Sequence, residues 1–175
     1  MRILGIDPGI GICGFGLIET GGRSGAKALD FGAVTTIVDA PLPERLLELH
    51  DSLAQVFEET KPEVVAVEKL FFSKNVTTGI AVAEARGIVL LIAAQKKLPV
   101  YEYSPNQIKL SLAGYGAATK TQIEEMVRVH LGLDKKPKPD DAADALAVAI
   151  TCGFLYREGM DNDYKFSNSR GRKRR

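Results

Sequence analysis

Four acidic side chains set in three separate parts of the chain, Asp7, Glu68, Asp141 and Asp144, are the residues whose type and setting could do chemistry. Carboxylates are hard oxygen donors, and several brought together repel one another until protons or cations relieve them. Asp7 closes the apolar run Ile3-Leu4-Gly5-Ile6, and Glu68 closes Val64-Val65-Ala66-Val67, so each stands where a buried strand emerges at its C-terminal edge. Asp141 and Asp144 open a helix, three residues apart on one face, and the apolar Ala145 to Ile150 that follow keep that face near the core. Each residue taken alone has a plainer account. Asp7 could start an Asp-Pro turn, Glu68 could be the first solvated position after a strand, and Asp140, Asp141 and Asp144 could serve only to cap a helix and complement its dipole. Their conjunction at the ends of elements that ought to be neighbours points instead to one divalent-metal site, of the kind a nuclease uses.

Around these carboxylates lie residues suited to nucleic acid. Phe71 and Phe72 follow Glu68 closely and precede Ser73-Lys74-Asn75, a polar and cationic stretch in which two large aromatics invite explanation. One belongs in the core and the other is a candidate wedge that stacks on a base. Lys109 and Lys120 flank the apolar and glycine-rich Leu110 to Ala118, either as phosphate contacts or as a solvated face. His50 and His130 lie on helical segments without a partner at ligand spacing and read as ordinary histidines. Gly9-Ile10-Gly11-Ile12-Cys13-Gly14 formally matches GxGxxG, but no helix follows it; Phe15 to Glu19 continues as a strand, so a dinucleotide site is not indicated. A tight hairpin would need those glycines for backbone freedom and for the close approach of another chain.

The elements that must position these residues are legible as periods. Ile3 to Ile6, Cys13 to Glu19 and Ala28 to Thr35 read as an antiparallel meander with a glycine turn at Gly21 to Gly25. From Pro43 to the break at Lys61-Pro62 the apolar spacing is helical, and Val64 to Val67 is a strand again, so a strand–helix–strand crossover is expected. Thr77 to Lys97 is a long helix rich in small and aliphatic residues, apolar on more than one face and so expected to be buried on more than one. Val100 to Tyr103 is a fifth strand; Thr119 to Leu131 and Asp141 to about Leu155 are helices.

Composition bounds the class. With 175 residues, 45% hydrophobic and 26% charged, the sequence suits a single domain spanning 1–158, followed by a polar, basic tail (159–175) expected to be disordered. The net charge of +1 hides an asymmetry, since Arg170, Arg172, Lys173, Arg174 and Arg175 carry five positive charges and leave the rest at −4. Cys13 and Cys152, far apart and without CxxC spacing, indicate neither disulfide nor zinc. No secretory leader or membrane span is expected, which fits the cytoplasm.

The chain resembles the RuvC family of Holliday-junction resolvases. The likeness runs from Leu4-Gly5-Ile6-Asp7-Pro8-Gly9 through Val67-Glu68-Lys69-Leu70-Phe71 and Ala85-Arg86-Gly87 to Asp141-Ala142-Ala143-Asp144-Ala145-Leu146-Ala147. It implies an α/β, ribonuclease H-like fold with a five-stranded mixed sheet of order 3-2-1-4-5 flanked by helices. It implies a homodimer that cuts four-way DNA junctions in recombination and repair, with Mg²⁺ or Mn²⁺, two ions per site, and the branch-migration proteins RuvA and RuvB as partners. By motif position Asp7, Glu68, Asp141 and Asp144 would be both catalytic residues and metal ligands; Phe71 would act on the junction bases, and Phe72, Lys74, Lys109 and Lys120 would lie near DNA. Asp140 stands beside Asp141, and either could point inward. Two other classes compete: a junction binder without catalysis, which would not require four carboxylates, and an actin-like ATPase fragment, for whose second domain 175 residues leave no room.

Overall fold

The structure is a computed structural model, and it describes residues 1–21, 25–70, 76–156 and 163–164. Phe71, Phe72 and Lys74, and all of the basic tail except Asp163 and Tyr164, lie outside the described residues. Five strands, β1 (Arg2–Asp7), β2 (Ile12–Thr20), β3 (Ala26–Thr35), β4 (Val64–Glu68) and β5 (Val100–Tyr103), form one sheet in the order β3-β2-β1-β4-β5. The first three run antiparallel, whereas β1, β4 and β5 are parallel neighbours. That is the mixed sheet the resemblance implies. The helices are α1 (Leu42–Thr60), α2 (Val76–Lys96), α3 (Pro105–Ala113), α4 (Lys120–His130) and α5 (Asp140–Leu155).

Side chains alternate across the sheet and sort into two cores. Leu4, Ile6, Leu17, Val65, Val67 and Val100 face α1 and α2, whereas Ile3, Ile18, Val64, Ala66 and Tyr101 face α3, α4 and α5. Helix α5 is the centre of the second layer. Every residue from Ala145 to Cys152 is buried, as an all-apolar helix requires.

At two places the structure adds to the sequence reading. Helix α2 buries Ala85, Val89, Ile92 and Ala93, but Ile80 and Leu91 are each about half exposed and a side chain at Gly87 would meet nothing, so within one chain only one face is covered. Lys109, expected at the edge of a glycine-rich stretch, lies inside α3. That helix is started by a capping box in which Ser104 accepts from the Gln107 backbone and the Gln107 side chain accepts from the Ser104 backbone, with Pro105 at the first helical position. The local signal Ser104-Pro105-Asn106-Gln107 was present in the sequence; the period of so short a helix was not.

Candidate metal centre

The site begins with the register of β1 and β4. Ile3 lies beside Val64 and Gly5 beside Ala66, so Asp7 and Glu68 end the two parallel strands side by side. Because side chains alternate, both carboxylates share the face of Ile3, Val64 and Ala66, the face that α5 covers.

Helix α5 reaches them because β1 and β2 present glycine beneath it. A Cβ on Gly14 would stand 2.0 Å from the carbonyl oxygen of Asp141; on Gly5, 2.1 Å from that of Ala145; on Gly16, 2.6 Å from Leu146 Cγ. Gly16 is the cross-strand partner of Gly5, and Gly14 that of Asp7. A track of missing side chains therefore lets the helix lie directly on the sheet, with its first turns over the strand ends. Gly9 has a related reason, since a side chain there would strike the carbonyl oxygen of Ile12 at 2.3 Å. None of Gly9, Gly11, Gly14 and Gly16 adopts positive φ. Close approach, rather than backbone freedom, explains Gly9 and Gly14 of the GxGxxG-like stretch, whereas a Cβ on Gly11 would make only an ordinary contact with Arg45 at 3.5 Å.

The electrostatics record the convergence. Burial, and then Asp144, Glu68 and Asp141, push the Asp7 carboxyl up to about 7. Glu68 is raised by burial and by Asp144, with Lys109 opposing. Asp144 is raised chiefly by burial, although Lys120 Nζ lies 3.0 Å from its Oδ2. The ammonium does not restore the ordinary value because the loss of water around the carboxylate outweighs one exposed cation. Asp140 behaves differently. It is exposed, lies 2.5 Å from Lys138 Nζ, and is held below the usual range by that contact. Asp141, not Asp140, is the member of the pair that raises Asp7.

A cleft of about 260 Å³ opens beside these groups, lined by Glu68 and Asp144 together with Lys109, Lys120, Ile108 and Ile123. Lysines from α3 and α4 thus share one hollow with two of the acids. The donor set fits a hard divalent cation in kind and charge: oxygen only, partly buried, short of counter-charge, with an ammonium against Asp144. Among the described residues no three acidic, histidine or cysteine side chains are already grouped about one ion position, so the carboxylates must turn toward a metal to ligate it. Cys13 and Cys152 are buried and their thiols are pushed up to about 12 and about 11 by burial, which leaves them as core residues.

Comparison with known proteins shows the family. The family model described as crossover junction endodeoxyribonuclease RuvC matches residues 3–152. A crossover junction endodeoxyribonuclease RuvC from Thermomicrobium roseum is 52% identical over 156 residues, covering 89% of this chain and 94% of the relative. One from Desulfitobacterium hafniense is 55% identical over 150 residues, covering 86% and 90%. Among solved structures, T. thermophilus RuvC in complex with Holliday junction substrate superposes with a TM-score of 0.83 at 40% identity, covering 88% of this chain and 93% of that one. With the family model spanning nearly the whole sheet and both ends of the acidic cluster, the chain belongs to the RuvC family of crossover junction endodeoxyribonucleases.

Proposed function

We propose that the protein resolves four-way DNA junctions by paired, symmetric nicks, using divalent metal held by Asp7, Glu68, Asp141 and Asp144. The observation that carries the reading is the convergence of Asp7 and Glu68, side by side at the ends of parallel strands, with Asp144 on α5, in and beside a cleft that also holds Lys109 and Lys120; the raised proton affinity of the three acids supports it. Mg²⁺, with Mn²⁺ as substitute and two ions per site, would supply an activated water and stabilise the leaving 3′ oxygen. The chain's own residues do the rest. Burial keeps the carboxylates short of water, so that a cation is worth more to them than it would be at the surface. Lys120, placed on Asp144, can turn to a phosphate once that charge is taken up elsewhere. Lys109, on the rigid α3, offers a second phosphate contact from the same cleft. Phe71, three residues beyond Glu68 in sequence, is the proposed wedge at the crossover, and Phe72 and Lys74 are proposed as further DNA contacts.

Two strands of a junction must be cut together, and a C2 dimer presents two equivalent sites to two strands of like polarity. The uncovered face of α2, with half-exposed Ile80 and Leu91 and the open Gly87, is the surface we assign to that dimer. RuvA and RuvB are the proposed partners that deliver the junction. Among the described residues no helix is long and apolar enough to cross a membrane; the proposed place of action is the cytoplasm, with the DNA.

A synthetic four-way junction, labelled on each strand in turn, tests the reading. With Mg²⁺ we expect nicks on two opposed strands at matching positions, and no cutting in excess chelator. Full cutting in chelator, or equal cutting of linear duplex, would overturn it.

A further inference from the structure

Asp140 and Asp144 stand one turn apart on α5 in unlike settings. Burial raises Asp144 above the usual carboxylate range, whereas the exposed Asp140 is held below it, first by Lys138 and then by Lys120 and Lys136. The geometry is that of a bracket. Asp140 Oδ1 lies 2.5 Å from Lys138 Nζ, and its Oδ2 lies 3.9 Å from Lys120 Nζ, so one carboxylate sits between two ammoniums. Lys120 Nζ is also 3.0 Å from Asp144 Oδ2. Those two contacts of a single nitrogen place the Asp140 and Asp144 oxygens no more than about 7 Å apart. That is of the order of the separation between adjacent phosphates on one strand, which rise about 3.4 Å along the axis and lie further apart along the winding backbone.

Both lysines project from fixed backbone. Lys120 is the first residue of α4, behind a capping box in which Thr119 accepts from the Gln122 backbone and the Gln122 side chain accepts from the Thr119 backbone. Lys138 stands between the buried Pro137 and Pro139, whose carbonyl accepts from the backbone N–H groups of Ala142 and Ala143. Lys136 is occupied elsewhere, donating to Thr121 O at 3.1 Å and to Glu124 Oε2 at 3.4 Å. The Lys138 side chain is 71% exposed and that of Asp140 46%, and an ion pair so open to water adds little to the fold and is easily broken. A carboxylate offers oxygens and negative charge to ammonium donors as a backbone phosphate does, so one can take the other's place.

We propose that Lys120 and Lys138 form a clamp for one backbone phosphate of the bound strand, next to the phosphate being cut, and that Asp140 occupies the clamp until DNA displaces it. The choice of DNA as ligand rests on the reading given under Proposed function. Lys138 is thereby a DNA-binding residue, and Asp140 a placeholder with no part in holding metal.

Anisotropy of a labelled four-way junction, titrated in Ca²⁺ across a salt series, tests the clamp. Lys138→Gln should flatten the slope of log K against log salt by about 0.9 and weaken binding by up to about eightfold at 0.1 M salt, the share of one neutralised phosphate. Lys138→Arg should restore both. Asp140→Asn should tighten binding about two- to fivefold, because an exposed ion pair no longer has to be broken. That gain should shrink in the Lys138→Gln background, whereas simple repulsion between Asp140 and DNA would give the same gain in both. Thermal melts should be unmoved, since these side chains are exposed. The clamp is overturned by an unchanged slope for Lys138→Gln, by an equal gain in both backgrounds, by an equal loss at the exposed Lys135, or by a loss at Lys138 that tracks a lowered Tm. Junction cutting by the parent chain in Mg²⁺ is scored separately: a chain that shows the clamp yet cuts no junction refutes the nuclease reading and leaves the clamp standing.

Discussion

Replacing Asp7 by Asn should make the metal-free protein more stable, and only above mildly acidic pH. In the folded chain the Asp7 carboxyl is pushed up to about 7, against an ordinary value of 3.8. The folded state therefore holds this proton more tightly than the unfolded chain does. For such a group, stability is greatest below the unfolded value, falls as pH rises from about 4 to about 7, and carries a constant penalty above that. The difference between about 7 and 3.8 corresponds to a ceiling of about 4 kcal/mol. Burial is the leading cause, and an amide in the same place remains buried, so the gain on removing the charge should be roughly 2–4 kcal/mol at pH 8. For a domain of this size that is a rise in Tm of roughly 4–15 °C. Thermal melts in chelator at pH 8 should show the gap, and melts near pH 4 should not. Adding Mg²⁺ should then stabilise the parent by about 2.7 kcal/mol at a hundred times its Kd, and should leave Asp7→Asn nearly unmoved. A variant that melts at or below the parent at pH 8, or a gap of equal size at both pH values, would refute the reasoning that Asp7 sits in a strained acidic cluster.

Asp141→Asn should cut junctions far more slowly while Asp140→Asn stays near the parent rate, because Asp140 is exposed and paired with Lys138; a larger loss at Asp140 would reverse the assignment. Gly14→Ala should cost on the order of 3 kcal/mol or more, since its methyl would meet a backbone carbonyl that no rotamer change can move, and urea titration of the variant measures it. Ca²⁺ should support junction binding without cutting, read by gel shift beside a cleavage assay, because it accepts looser coordination than Mg²⁺. Phe71→Ala, if the residue is a wedge, should keep its Tm yet slow cutting of a fully paired junction and recover on one unpaired at the crossover; if the residue is core, a loss of about 3–5 kcal/mol should appear first as early melting.

Much of this was legible from pattern because two periods carry it. Strand alternation places Asp7 with Gly5 and Glu68 with Ala66, and the small, apolar run after Asp144 marks a helix buried on all sides. What the pattern could not give was the distance between them. Gly14 read locally as part of a hairpin and Gly5 and Gly16 as members of strands, and only the packed structure shows that all three mark the path of helix α5 across the sheet. Asp140 and Asp141 were likewise indistinguishable by type; in the structure Asp140 pairs with Lys138, two residues upstream, and Asp141 is the one whose charge raises Asp7. The short α3 was missed because nine residues give too little period, although its capping box was in plain view. The small residues of α2 did suggest a helix that a partner could approach closely; which of its faces the chain itself leaves uncovered, that of Ile80, Gly87 and Leu91, needed the packed structure.

The seating of the last helix on the first strand has a bearing on how the enzyme comes into being. Asp7 leaves the ribosome early, yet Asp141 and Asp144, and the helix that fills the glycine track, arrive only after four strands and four other helices have been made. Contacts between the two ends of a chain close late because the loop they complete is long. A nascent or prematurely ended product can therefore form much of the sheet without assembling the acidic cluster. The repulsive cluster is then imposed on a framework that already exists, and under the proposed assignment of its carboxylates an unfinished copy would lack the site that cuts.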